Sequence, residues 1–250
     1  MTIDHERIMA IERAAVAAWP ASETADIGGW LWRCSGGGSQ RANSVSPLAF
    51  AGPDAEAAIA MAEARYRARG QPPMFQVCDV SEPADLDARL QRRGYRLQEP
   101  CTTLAKPIAP ATAAAIGSDI EIKVTPTEAW LSVYVAGITP SRRAFAPAIL
   151  ARVPAPRAFL LLRHAGEPAA TALGVVANGV VIAECVMTRA DLRRSGGASR
   201  VMDALETWGA QQGATTAALQ AVTANAPAQA LYAKLAYIRA GGYHYRVLDA

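Results

Sequence analysis

The sequence predicts an α+β fold: a mixed α/β sheet flanked by helices, built as two successive units of one type. Three observations predict it. Strand-like and helix-like patterns alternate along the whole chain. A proline-bearing stretch of small residues, Pro107 to Ser118, divides the chain. One block occurs on both sides of that stretch: Phe75-Gln76-Val77 leads into a short helix over Ala84–Arg93 and then Gly94-Tyr95, while Leu219-Gln220-Ala221-Val222 leads into Pro227–Leu235 and then Ala236-Tyr237. The shared glutamine and closing aromatic favour duplication. The expected division is a front unit over 1–106, a linker over 107–118 and a rear unit over 119–250.

Within the front unit, Ile3–Ala18 is expected as a helix, and Trp30–Cys34 and Asn43–Val45 as short strands. Asp54–Arg69 reads as a helix capped by Asp54, Phe75–Val77 as a strand, and Tyr95–Gln98 and Cys101–Lys106 as two closing strands. The triplet Gly36–Gly38 reads as a hairpin turn. In the rear unit, strand Ile120–Val124 precedes helices at Thr127–Ala136 and Arg143–Val153. Strands Phe159–Arg163, Ala170–Ala177 and Val180–Thr188 follow, separated by glycine-containing turns. A helix over Ala198–Gln212 places Val201, Leu205 and Trp208 on one face and stops at Gly213. Strand Ala217–Val222, helix Pro227–Leu235 and a strand pair within Tyr237–Val247 complete the pattern.

With 250 residues, 51% of them hydrophobic, the chain has ample material for a packed core. Lys and Arg total 25 against 22 Asp and Glu, and a net charge of +3 is too small to imply a nucleic-acid or anionic-membrane surface. Cys34, Cys78, Cys101 and Cys185 lie far apart without a CxxC pair, which argues against zinc and against a disulfide framework. Charged residues run through Met1–Ala18, unlike a signal peptide, and no apolar run is long enough to span a bilayer. The expectation is a cytoplasmic protein, monomer or homodimer, with no metal and with neither nucleic acid nor membrane as partner.

The chemistry concentrates in Val186–Ala198, where a strand passes through a basic, glycine-bearing turn into a helix. Glycines let successive main-chain N–H groups converge, the helix mouth adds partial positive charge, and Arg193 and Arg194 stand beside it. Such a cradle suits a diphosphate; an ordinary strand-to-helix turn with solvated arginines is the alternative. The stretch lacks both the GxGxxG dinucleotide fingerprint and the Lys-Ser/Thr of a P-loop. Glu184, a carboxylate in an apolar strand, is a candidate general base, provided that no bulge separates it from Val186 and Thr188. Cys185 is read as packing on the opposite face, and His5, His164 and His244 occupy positions unsuited to catalysis.

The turn Arg193-Arg194-Ser195-Gly196-Gly197-Ala198 resembles the acyl-CoA signature Q/R-x-x-G-x-G/A of the GNAT superfamily of N-acetyltransferases. The stretch from Leu219 through Asn225, Leu231 and Tyr232 to Tyr237 resembles that family's second signature, with Ala236 and Tyr237 in place of its usual glycine and phenylalanine. The resemblance implies acetyl-CoA as cofactor, with Arg193, Arg194, Ser195, Gly196, Gly197, Ala198 and Ser199 around its diphosphate. Val186, Met187, Thr188 and Asn225 would then hold the pantetheine arm, and Tyr232 would protonate the departing thiolate. The implied reaction is direct attack on the thioester by a primary amine carried on a small molecule or peptide. A non-catalytic acyl-CoA-binding module and a purely structural tandem domain are the competing readings. The run Gly28–Leu48 resembles the opening of a bacterial two-GNAT-domain subfamily with a degenerate N-terminal copy, in which Trp32, Arg41 and Asn43 would contact the acceptor or pack between the units.

Overall fold

The computed structural model describes residues 4–110 and 116–249. The middle of the expected linker, 111–115, and Ile3, the first residue of the expected N-terminal helix, lie outside that range. Eight helices, α1 (His5–Ala18), α2 (Ala55–Arg67), α3 (Leu86–Arg92), α4 (Glu128–Ala136), α5 (Pro140–Arg143), α6 (Ala146–Arg152), α7 (Gly197–Gln211) and α8 (Ala226–Lys234), surround ten strands among the described residues. The strands are β1 (Glu23–Ile27), β2 (Trp30–Cys34), β3 (Met74–Cys78), β4 (Arg96–Pro107), β5 (Ile120–Lys123), β6 (Arg157–His164), β7 (Glu167–Ala177), β8 (Val180–Thr188), β9 (Thr216–Val222) and β10 (Ile238–Val247).

Strands β1 and β2 form a separate hairpin, and the other eight form one sheet in the order β3-β10-β4-β9-β8-β7-β6-β5. Every neighbouring pair in that sheet is antiparallel except β8 and β9. The two halves of the chain interleave: β10, from the C-terminus, lies between β3 and β4, and β4 lies between β10 and β9. The repeated blocks β3-α3-β4 and β9-α8-β10 therefore each take into their sheet a strand of the other.

Alternation along the strands divides the core. Val180 and Ile182 join Leu173 and Val175 in a cluster under α1, α4 and α6, with Ile11, Trp130 and Ile149. Val181 and Ala183 turn the other way, to Val201, Leu205 and Trp208 of α7 and Tyr232 of α8. Burying each large apolar side chain of α7 stabilises the fold by roughly 1.5–3 kcal/mol, an upper bound because the unfolded chain is not fully exposed. Trp30, Trp32, Ile59, Tyr66, Phe75 and Tyr95 form a core of their own in the front half.

Local chemistry moves several boundaries. The helix expected over Arg143–Val153 is α6 and starts only at Ala146, because Pro147 lacks an N–H and is accepted only in a helix's first turn; the separate short α5 precedes it and ends at Arg143. The two strands expected between Tyr95 and Lys106 are one, β4, carrying an extra residue where Gln98 faces Tyr245 but Cys101 faces Tyr243. Glu99 has φ +45 there and Pro100 needs no donor in such a bulge. The expected C-terminal strand pair is likewise one strand, β10. Asn43–Val45 is not a strand: Arg41–Asn43 is a single 3-10 turn, and Val45 only bridges Phe75. The hairpin turn of the front half is Gly28-Gly29, both at positive φ, rather than Gly36–Gly38. A Cβ on Gly37 would stand 3.0 Å from Cζ of Phe145, so those glycines let the loop close on that ring.

Gly94 and Ala236 occupy matching places after α3 and α8, and both are left-handed, with φ +86 and +62. A Cβ in that conformation costs about 1–2 kcal/mol, whereas glycine pays only unfolded-state entropy. Ala236→Gly is therefore expected to raise stability by about 0.5–1 kcal/mol; chemical denaturation measures it, and a loss of stability counts against the strain.

Candidate functional site

The site is built where β8 leaves β9. The two pair in parallel for three residues only, Val180↔Thr216 to Ile182↔Ala218. Beyond that point β8 stays with β7 as far as Thr188, while β9 stays with β4 as far as Val222. The edge of β8 from Glu184 to Thr188 thus faces a gap instead of a strand.

A bulge shapes that edge. Leu173 faces Glu184 but Thr171 faces Met187, so β8 uses one extra residue, with Cys185 at φ +53. The alternation resets accordingly. Cys185 and Met187 pack into the α1/α4 cluster while Val186 packs with α7, and Thr188 lies on α7's side against Gly197. Two expectations change with it: Glu184 shares its face with Met187 rather than with Val186 and Thr188, and Cys185 does not point away from Glu184. Burial pushes the Cys185 thiol well above its ordinary range, with the Glu184 charge adding to it, so it is no thiolate nucleophile.

At the far end of β8 stands the mouth of α7. Arg194 and Gly196 are left-handed, at φ +67 and +87, and turn the chain abruptly into the helix. Arg200 is the residue whose N–H returns to the Gly196 carbonyl, at 3.1 Å, so the N–H groups of Gly196, Gly197, Ala198 and Ser199 lack helical acceptors. Nothing lies within 4 Å of where a Gly196 Cβ would sit. A Cβ on Gly197 would meet Leu162, Ala170 and Thr188 at 3.4–3.7 Å, which seats the mouth beside the end of β8. Arg193, Arg194 and Ser195 are exposed. The Ser195 hydroxyl donates back to the Leu192 carbonyl at 2.6 Å and so does not cover the mouth. Asn225 caps α8, its Oδ1 accepting from the Ala228 N–H at 3.2 Å, which leaves its NH2 as the free end.

The gap itself holds charge. Glu184, 7% exposed, receives both ends of the Arg41 guanidinium, at 2.5 and 2.6 Å. Arg41 also lies over the Trp19 ring, 5.1 Å from its centroid. Although burial opposes its charge, Glu184 holds the Arg41 pKa above its usual value. Both Glu184 oxygens are thus engaged by a cation. Tyr232 of α8, 7% exposed, has its phenol pushed up to about 12 by burial, with a contribution from the Glu184 charge.

Beside the gap lies a cavity of about 490 Å³, walled by the Gly37–Arg41 loop, Thr139–Arg142, Gln220 and Val222 of β9, and Tyr243 and Tyr245 of β10. Asn43 lines it but is spent on structure, accepting from the Ser35 N–H at 2.7 Å and donating to the Gly37 and Ser39 carbonyls. Trp32 is not there: it is fully buried in the front core, its ring 5.0 Å from that of Tyr66.

Glu12 of α1 escaped sequence reasoning. It is 2% exposed, accepts from the Thr103 hydroxyl at 2.8 Å and from Gln220 Nε2 at 2.9 Å, and has no cation bonded to it. Burial raises its pKa to about 7, against the lowering effect of those two hydrogen bonds. An apolar-phase glutamate between Ile8 and Ala15 is the only signal the sequence offers for it.

A model of the family described as Probable histone acetyltransferase Rv0428c C-terminal matches residues 6–246. The chain belongs to that family. It is a GNAT-type N-acetyltransferase, 29% identical over 253 residues to the uncharacterized N-acetyltransferase YobR of Bacillus subtilis, covering 96% of this chain and 98% of YobR. A GCN5-related N-acetyltransferase from Kribbella flavida has the same fold, at a TM-score of 0.68 with 18% identity over 100% of this chain and 97% of its own. So has a tandem GNAT protein from the clavulanic acid biosynthesis pathway, at a TM-score of 0.62 with 12% identity over 99% of this chain and 96% of its own.

In this GNAT chain, two buried carboxylates carry testable energetics. Arg41→Met leaves Glu184 buried without its cation and is expected to cost about 3–5 kcal/mol, much of which a further Glu184→Met change restores; a double-mutant cycle by urea denaturation measures both. For Glu12 the folded-state pKa is raised, so the native state holds the proton more tightly than the unfolded chain does. Its ionisation therefore erodes stability as pH climbs from the ordinary carboxylate range to about 7. Glu12→Gln removes that loss, and the variant should gain about 2–3 kcal/mol on wild type between pH 5 and pH 8. Parallel pH–stability curves would refute this.

Proposed function

We propose that this N-acetyltransferase moves an acetyl group from acetyl-CoA to a primary amine by direct attack within a ternary complex. The observation that carries this reading is the gap between β8 and β9, with an unpaired strand edge on one side, a helix mouth with four free N–H groups at its end, and the buried phenol of Tyr232 within reach of the Glu184 charge. The residues present suit coenzyme A. The Gly196–Ser199 amides are an anion cradle left open by the bare Gly196, and the β8 edge offers main-chain donors and acceptors to an amide-bearing arm.

When bound, acetyl-CoA supplies an acyl carbon activated as a thioester. The amides of Gly196, Gly197, Ala198 and Ser199 hold the diphosphate, with Arg193 and Arg194 adding charge at the rim. Val186, Met187 and Thr188 on the β8 edge, with the Asn225 NH2, align the arm. The nitrogen–carbon bond forms as the carbon–sulfur bond breaks, and Tyr232 gives its phenolic proton to the departing sulfur. A phenol whose pKa is raised to about 12 stays protonated at neutral pH, which suits a donor. Glu184 is engaged by Arg41 and serves as charge lining the gap; the proton released by the amine leaves to water in the open cavity. Arg41 and Asn43 bring the front half to the acceptor side. The acceptor proposed is an amine on a small molecule or peptide.

Mass spectrometry after incubation with acetyl-CoA and a library of aminoglycosides, amino acids, polyamines and basic peptides tests the reaction. Tyr232→Phe is expected to lower kcat about 100-fold or more on any amine accepted, with acetyl-CoA affinity within about twofold of wild type by calorimetry. Unchanged kcat removes the acid role from Tyr232. Coenzyme A binding without product from any amine selects a non-catalytic acyl-CoA module instead.

A further inference from the structure

Gln220 lines the cavity, and one atom of its side-chain amide is buried and unsatisfied. Its Nε2 donates to Glu12 at 2.9 Å and contacts the Thr103 hydroxyl at 3.3 Å, while its Oε1 is buried with no partner. The orientation of a glutamine amide follows from its partners, and here a carboxylate dictates it: the NH2 must face Glu12, which turns Oε1 away. A buried carbonyl oxygen without a donor is costly, so one is expected to arrive. The cavity that Gln220 lines opens beside the gap at β8.

We propose that Gln220 Oε1 receives an N–H of the acceptor ammonium, and that Glu12 is a positioning residue which presents that oxygen when ionised and withdraws it when protonated. The inference rests on the acyl-transfer reading and names the group that captures its substrate. Protonated Glu12 donates to Gln220 Oε1, the amide turns over, and an NH2 that repels a cation faces the cavity instead. The turnover falls near neutrality, since burial sets the Glu12 pKa at about 7. The groups around Glu12 are Thr103 and the Cys101 thiol of β4, Gln220 of β9, the Cys78 thiol that ends β3 and Asp79 after it, and Arg41, itself bound to Glu184 of β8. Asp79 raises the Glu12 pKa and Arg41 lowers it, whereas the two thiols are held neutral.

The test reads the side chain without turnover, so its failure is distinct from a failure of acetyl transfer. In full-length 15N-labelled protein, the Gln220 side-chain amide signal, assigned through Gln220→Leu, is followed from pH 5 to pH 9. Wild type should show a transition near pH 7 that Glu12→Gln abolishes. n-Butylammonium should shift the signal at pH 8 with at least threefold higher affinity than at pH 6, while butyltrimethylammonium, which has no N–H, should not shift it. In turnover, Gln220→Leu should raise the amine KM at least tenfold with acetyl-CoA affinity unchanged. A signal without a transition, an equal response to the quaternary analogue, or an amine KM within twofold of wild type each overturns the proposal.

Discussion

Everything at the site depends on β8 parting from β9 after three parallel pairs. A sheet normally satisfies its strand edges by pairing, and an edge left open inside a protein is expensive. Here the parting is held from both sides. On one side the bulge at Cys185 bends β8 along β7; on the other, β4 keeps β9 in register down to Val222. At the start of the open edge Arg41 binds Glu184, and Tyr232 is buried near enough to feel that carboxylate's charge.

The interleaved strands explain why residues from opposite ends of the chain meet there. Because β4 lies between β10 and β9, the front half cannot separate from the rear without breaking ladders on both edges of β4. Helix α1 lies across β7, β8 and β9 and carries Glu12 to Gln220. Buried Arg33 extends the same polar seam, giving its hydrogen bonds to Ser44 and Gln76 with no carboxylate bonded to it. Gln76 and Gln220 hold matching positions in the two repeated blocks, yet one accepts from a buried cation and the other donates to a buried anion. Duplicated architecture has thus been turned to opposite electrostatic ends.

What could be read in advance is what local chemistry determines. The run of apolar residues from Val180 to Thr188 delimits β8, and the glycines after Arg194 mark the start of α7. The block ending in Ala236-Tyr237 shows the helix stop, where the structure finds the same left-handed residue as at Gly94. What escaped reading depends on partners distant in sequence. The bulge is a property of the β7–β8 pairing, and a non-glycine residue at positive φ leaves no mark on the sequence. Glu184 meets a cation 143 positions away. Trp32 sits in a glycine-flanked strand that could equally have served a binding face, and only Tyr66, from α2, shows it to be core. Glu12 sits in a helix with Glu6, Arg7 and Arg13, where a fourth charge passes for a solvated one.

The two buried glutamates differ in the partners they are given, and that difference apportions their work. Glu184 spends both oxygens on a guanidinium, in two charge-assisted hydrogen bonds. Glu12 is bound only by neutral donors, a hydroxyl and an amide, neither of which opposes protonation as a cation does. The Glu184 charge lies close enough to Tyr232 that, added to burial, its field favours the protonated phenol. A titrating group suits Glu12, because the amide it holds lines the cavity and presents a donor or an acceptor according to whether Glu12 carries its proton. Neither role follows from the residue type; each follows from the partners the fold supplies, the Arg41 cation for Glu184 and the neutral Thr103 and Gln220 for Glu12.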